Sequence, residues 1–161
     1  MKNHDEFYLN LAEQISKTSK CLKGNWGAVI VRDDMIIGCG YNGTPRGVVH
    51  CNPCRRDSSA PGQDYHLCVA AHAECNAIIQ AGGREKCLGA TLYLDSHNRK
   101  PGSGGAYNSA MGFFPCDNCF RYIINAGIHA VVIRGMDLKP LWITVSSAVA
   151  QLNKKLYQTQ A

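Results

Sequence analysis

The 161-residue chain has no apolar run near the eighteen residues that a membrane-crossing helix needs. Its first stretch, MKNHDEFYLNLAEQ, is acidic and amphipathic and lacks the apolar core of an export signal. A cytoplasmic protein is the expectation. Basic residues outnumber acidic ones by 17 to 12, for a net charge of +5, yet they do not gather. The longest basic runs are the pairs Arg55-Arg56, Arg99-Lys100 and Lys154-Lys155, read as solvated surface. A nucleic-acid face needs a clustered patch, so no nucleic-acid partner is expected.

Cysteine, by contrast, is plentiful, at nine residues. An odd count without an export signal argues against a disulfide framework, because the cytosol keeps thiols reduced. Metal ligation is the reading to pursue. Hydrophobic content of 45% and charged content of 18% are those of an ordinary globular chain. The length suits one domain over residues 1–161 with a real core.

Apolar spacing predicts a helix over residues 5–20. WGAVIVRDDMIIGCGYNG then gives two apolar runs about an Asp33-Asp34 turn, a hairpin pattern. Residues 48–66 are rich in Pro, Gly and Ser and read as loop. The Ala-rich stretch 67–82 reads as a buried helix stopped by Gly82-Gly83. ATLYLD (90–95) is a short buried strand, and 95–114 a long Gly/Ser/Asn loop of the kind that carries function. A helix follows Pro115 and ends at Gly127, residues 129–135 form a second buried strand, and 141–158 read as helix. No strand is assigned after Gly135. Helices alternating with apolar strands predict an α/β sandwich around a mixed sheet.

Two fragments carry the chemistry, HAEC at 72–75 and FPCDNC at 114–119. Zinc favours His nitrogen and Cys sulfur, and catalytic sites use three protein ligands with a fourth position left open. His72, Cys116 and Cys119 supply that set. Cys116 and Cys119 stand three apart at a helix start, so both sulfurs can face one point. A helix N-terminus also lowers thiol pKa, and Pro115 suits the entry. Glu74, two residues after His72, can reach a metal-bound water and shuttle its protons. A structural zinc site has no need of such a group. The order H-x-E…P-C-x-x-C is the signature of zinc-dependent deaminases.

GAVIVRDDMIIGCGYNGTPRG (27–47), HAECNAI (72–78), GATLYL (89–94) and PCDNCFRYIINAGIHAVVI (115–133) together resemble the deoxycytidylate (dCMP) deaminase family. That resemblance implies a three-layer α/β/α sandwich of the cytidine-deaminase-like type and hydrolysis of dCMP to dUMP and ammonia. It implies zinc on His72, Cys116 and Cys119, with Glu74 protonating N3 and relaying a proton to the leaving amine. The Ala73 N–H is expected near the base carbonyl. Asn42 of the GYNG turn is expected at the sugar-phosphate end, where Gly40 and Gly43 would admit close approach. Arg46 is the expected phosphate ligand, and Phe114 and Tyr122 are candidates to flank the base.

Some relatives resembling this chain carry a second, structural zinc, for which Cys21, Cys51, Cys54 and Cys68 are the expected ligands, with His50 or His66 as substitutes. Cys39, Cys75 and Cys87 read as core. The resemblance also implies regulation by dCTP and dTTP in parts of the family, Mg2+ with a nucleotide effector, and a homo-oligomer, a hexamer as in many relatives. The stretch 95–114 is longer than that family's pattern and is expected as a lid, a specificity loop or a subunit contact. Two alternatives stay open. One is a deaminase of a related substrate, such as 5-substituted dCMP, a nucleoside, a free base or a pterin. The other is a non-catalytic zinc-binding interaction module, which Glu74 argues against.

Overall fold

The computed structural model describes residues 4–59, 63–98, 115–135 and 137–158. Its centre is a five-stranded mixed sheet ordered β2-β1-β3-β4-β5. The strands are β1 Gly27–Arg32, β2 Met35–Tyr41, β3 Thr91–Asp95, β4 Ala130–Arg134 and β5 Pro140–Thr144. The helices are α1 Asp5–Ser16, α2 Ala73–Ala81, a short α3 Arg84–Cys87, α4 Asp117–Asn125 and α5 Val145–Gln158. β1 pairs antiparallel with β2 and β3, β3 and β4 run parallel, and β5 returns antiparallel to β4.

The β1–β2 hairpin turns through Asp33 and Asp34 with φ of 52° and 59°. Two successive positive φ values make a primed turn, whose twist matches paired strands and which Asp tolerates. β1 is buried along nearly its whole length, as a central strand covered on both faces must be. On one face Val29, Val31, Tyr93 and Val132 meet Tyr8, Leu9 and Ala12 of α1. On the other, Ala28, Ile30, Leu92, Leu94, Val131 and Ile133 meet α2, α4 and Ala148 of α5. The three layers expected of the fold are present.

α2 sits unusually close to the sheet. A β-carbon on Gly38 would stand 2.7 Å from the Ala77 carbonyl oxygen, and one on Gly40 would stand 2.5 Å from the Ala77 nitrogen. Small residues at Ala73, Ala77 and Ala81, spaced four apart, give α2 the flat face that lets it settle there. The helix stops at Gly82 (φ 98°), with Gly82 N–H donating to the Ile79 carbonyl and Gly83 N–H to that of Ile78.

α1 is fastened to the sheet by polar contacts as well. Asp5 accepts from the Tyr93 hydroxyl at 2.9 Å and from Trp142 Nε1 at 2.8 Å. Arg134 donates from Nε to Asp95 at 2.8 Å and from Nη1 to Glu6 at 2.6 Å.

Three expectations need correction. α1 ends at Ser16, before the Ser/Lys-rich segment. α2 begins at Ala73 rather than 67, because His72 is extended (φ −80°, ψ 157°) and Ala71 forms a bridge to Gly43. Residues 140–144 are the edge strand β5, where helix was expected, and α5 starts only at Val145.

Candidate functional site

His72 and Cys116 occupy equivalent places, each the extended residue just before a helix, α2 and α4 respectively. Both helices pack on the same face of the sheet, so both ligands reach the same end of that face. His72 Nδ1 lies 3.4 Å from Cys116 Sγ and 3.2 Å from Cys119 Sγ. The three ligand atoms lie within 4.8 Å of one another, and this is the one such group of three or more His, Cys, Asp or Glu among the described residues. Tetrahedral zinc with bonds of about 2.3 Å to sulfur and about 2.0 Å to nitrogen sets its ligand atoms roughly 3.5 Å apart. The donor set and its spacing fit that ion.

The protons of the metal-free cluster are shared unequally. The Cys116 thiol falls to about 4, first through the hydrogen bond with Cys119 and then against burial. Cys119 is pushed up by the Cys116 and Cys75 sulfurs beside it. His72 rises to about 9, chiefly through its bond to Cys116. Zinc needs a neutral imidazole and thiolates, so loading it releases protons. Cys75, expected in the core, is half-buried, and its hydrogen bond with Cys119 pulls its thiol pKa down.

Glu74 lies in the first turn of α2 and is 4% exposed. Burial, the largest influence, pushes its carboxyl up, while the charge on His72 opposes that. A buried carboxyl whose pKa is raised, beside a metal position, is placed to take and return a proton.

A cavity of about 140 Å³ opens onto His72, Ala73, Glu74 and Cys116. Ala73 is the first residue of α2, so its N–H is one of the donors that no intrahelical carbonyl satisfies. Gly43 lines the cavity, and a β-carbon there would meet nothing within 4 Å. Asn42 also lines it, but its amide is turned to the protein. Oδ1 accepts from Trp26 N–H and the Ser19 hydroxyl, each at 2.8 Å, and Nδ2 donates to the Gly24 carbonyl at 2.8 Å. Asn42 therefore shapes the 19–26 segment. Gly40 serves the packing of α2 and is closed off by it.

Arg46 is exposed and outside the cavity lining. Tyr122 is 59% exposed on the outer side of α4 and also does not line it. Phe114 lies outside the described residues, as does the long loop from 99 onward. Cys21, Cys51, Cys54 and Cys68 are half-buried and all line the cavity, with His50 near them. No three of them bring ligand atoms within 4.8 Å of one another. His66 is exposed.

Sequence reasoning missed Tyr65 and Arg56. The Tyr65 ring stands edge-on to His72 with centroids 6.2 Å apart, and the Arg56 guanidinium carbon lies 4.2 Å from the Tyr65 centroid. Arg56, read as half of a solvated pair, is 8% exposed. No periodicity or motif signalled this. The only clue was an aromatic residue a few positions before HAEC.

A protein-family model described as the cytidine and deoxycytidylate deaminase zinc-binding region matches residues 2–134. A deoxycytidylate deaminase of Mycobacterium phage D29 is 36% identical over 135 residues, covering 80% of this chain and 91% of that one. One from Saccharomyces cerevisiae is 34% identical over 130 residues, covering 80% of this chain but 36% of the yeast protein. The chain thus spans about a third of that relative's length. The crystal structure of a cyanophage S-TIM5 dCMP deaminase in complex with dCMP and dUMP superposes with a TM-score of 0.59 at 28% identity, covering 83% of each chain.

Proposed function

This chain belongs to the family of cytidine and deoxycytidylate deaminases that carry that zinc-binding region, and from that premise we propose that it hydrolyses dCMP to dUMP and ammonia. The observation that carries the reading is the convergence of His72 Nδ1 with two cysteine sulfurs at 3.2 and 3.4 Å, next to a buried Glu74.

His72, Cys116 and Cys119 would hold the zinc, which when bound would supply the Lewis acidity that makes a water nucleophilic near neutral pH. Glu74 accepts the proton that this water gives up, delivers it to N3 of the cytosine, and carries the second proton to the amino group leaving C4. The raised carboxyl pKa suits a residue that must hold a proton between these transfers. Ala73 N–H donates to the base carbonyl at C2, a use that its unsatisfied position in the first turn supports. Tyr65, edge-on to His72, walls one side of the space for the base and excludes water.

The finer expectations belong to the same reading. A second zinc on Cys21, Cys51, Cys54 and Cys68 is supported by all four lining the same cavity, and its ligation requires their sulfurs to draw together. Nucleotide effectors with Mg2+ and a homo-oligomer follow from the resemblance, and a cytoplasmic location is the expectation that accompanies them. No helix among the described residues is long and apolar enough to cross a membrane. Metal analysis separates one zinc per chain from two.

The test is an absorbance assay of purified zinc-loaded protein against dCMP, CMP, deoxycytidine, cytosine, 5-methyl-dCMP and guanine. Turnover of dCMP is the expected result. Turnover of a base or nucleoside with dCMP inert would overturn the substrate assignment.

A further inference from the structure

Arg56 is nine-tenths buried, yet among the described residues no carboxylate forms an ion pair with it. Its Nε and Nη2 both donate to the Gln63 carbonyl, at 3.0 and 2.7 Å. A guanidinium has five N–H donors, and among the described residues those on Nη1 have no acceptor. No buried side-chain nitrogen or oxygen among the described residues lacks a hydrogen-bond partner. Nη1 is therefore not sealed in protein. Arg56 is one of the residues that line the cavity.

The guanidinium is also fixed in place. Tyr65 lies under it at 4.2 Å, and the same ring stands edge-on to His72 at 6.2 Å. One aromatic ring separates the cation from the metal-ligand imidazole. Lys23 Nζ donates to the carbonyls of Arg56 and Ser59, tying the turn that carries Arg56 to the segment before β1. The remaining cavity charges reinforce the pattern. Lys20 and Lys23 line it, whereas among the described residues the one lining carboxylate is Glu74, two residues from His72. The described lining thus holds an acid and a metal-ligand cluster and, beyond the Tyr65 ring, a cation that no described carboxylate pairs with.

A buried cation without a counter-charge is unfavourable until something anionic reaches it. A planar guanidinium matches phosphate oxygens with paired donors. We propose that Arg56, braced by Tyr65, receives the phosphate of a pyrimidine nucleoside monophosphate and makes the site prefer nucleotide over nucleoside. This rests on the deaminase reading for the base end of the ligand. It places the phosphate with Arg56 in the loop after Cys54 rather than with the exposed Arg46.

The test compares zinc-loaded wild type with Arg56→Gln, Arg56→Lys and Arg46→Gln. Arg56→Gln is expected to lower kcat/KM for dCMP roughly 100-fold, mostly through KM, the loss expected when hydrogen bonds to a charged group are removed. Deoxycytidine turnover should hardly change, so the nucleotide preference collapses. Arg56→Lys should fall between, and Arg46→Gln should match wild type. An unchanged preference in Arg56→Gln overturns the inference.

Binding of inorganic phosphate, read by calorimetry, provides a second measurement that needs no turnover. Wild type should bind it and Arg56→Gln should not. Loss of phosphate binding in a protein that turns over no pyrimidine would leave the anion site standing and sink the deaminase reading. Equal phosphate binding in both proteins, with dCMP still deaminated, does the reverse. Should Arg56→Gln fail to fold, Arg56→Lys decides, because wild-type phosphate affinity and nucleotide preference in that variant rule out recognition by the guanidinium.

Discussion

A β-carbon placed on Gly40 would stand 2.6 Å from the carbonyl oxygen of Ala73, the residue that links His72 to Glu74. Nothing flexible intervenes, since the contact is backbone against backbone. Gly40→Ala must push the start of α2 away from β2, and overpacking of this kind costs about 1–3 kcal/mol. Activity should fall further than stability does, because the shifted turn carries both His72 and Glu74. Urea denaturation beside steady-state kinetics checks this. Gly43→Ala, facing open space, should change stability by no more than about 0.5 kcal/mol.

Glu74→Gln keeps the size of the side chain and removes its proton exchange. It should retain the zinc content of wild type while lowering kcat by roughly 10²–10⁴-fold, the usual contribution of positioned acid–base groups. Metal analysis and the absorbance assay on one preparation give both readings. A protein that loses zinc together with activity would assign Glu74 to holding the metal cluster instead.

Asn42→Ala removes the amide partner of Trp26 N–H and of the Gly24 carbonyl, while the Ser19 hydroxyl keeps the main-chain carbonyl of residue 42 at 2.7 Å. Stability should drop by roughly 2–4 kcal/mol, since each abandoned group keeps its desolvation cost. A large rise in KM at unchanged stability would show instead that the amide serves the ligand.

Tyr93 is buried and donates to Asp5, so burial first and the carboxylate second push its phenol pKa above 10. The folded pKa is raised, so this contribution is complete below pH 10 and is lost as pH rises through the folded value. Within that window stability should decline by about 1.4 kcal/mol per pH unit from this residue. Tyr93→Phe should be less stable at pH 8 and show a shallower alkaline decline, read by denaturant midpoints across pH.

The grouping of His72 with Cys116 and Cys119, and the place of buried Glu74 beside it, were readable in advance because their information is local. His72 and Glu74 share one turn, Cys116 and Cys119 another, and chemistry dictates both spacings. β5 was not readable. Pro140–Thr144 runs without a break into the apolar start of α5, and short apolar runs do not declare their period. What holds it as a strand is its pairing with β4 and the reach of Trp142 to Asp5 across the whole chain. Arg56 was misread for a related reason. Its neighbour Arg55 suggests solvent, whereas its burial depends on Tyr65 and Gln63, which follow an irregular stretch rich in Ser, Pro and Gly. Asn42 was expected at the sugar-phosphate end of a substrate; it lines the cavity, but which way its amide turns depends on partners at 19, 24 and 26 that no motif names.

β3 and β4 lie side by side in parallel, Thr91 against Ala130 and Leu94 against Ile133. Whatever chain leaves Asp95 and returns at Asp117 therefore starts and ends at anchored points. Lengthening such a span costs little, since each doubling of loop length adds only about 0.6 kcal/mol of closure entropy. This architecture gives variation a place to accumulate beside the ligand cysteines without moving them. The register of β3 against β4 is thereby indifferent to how many residues join Asp95 to Asp117.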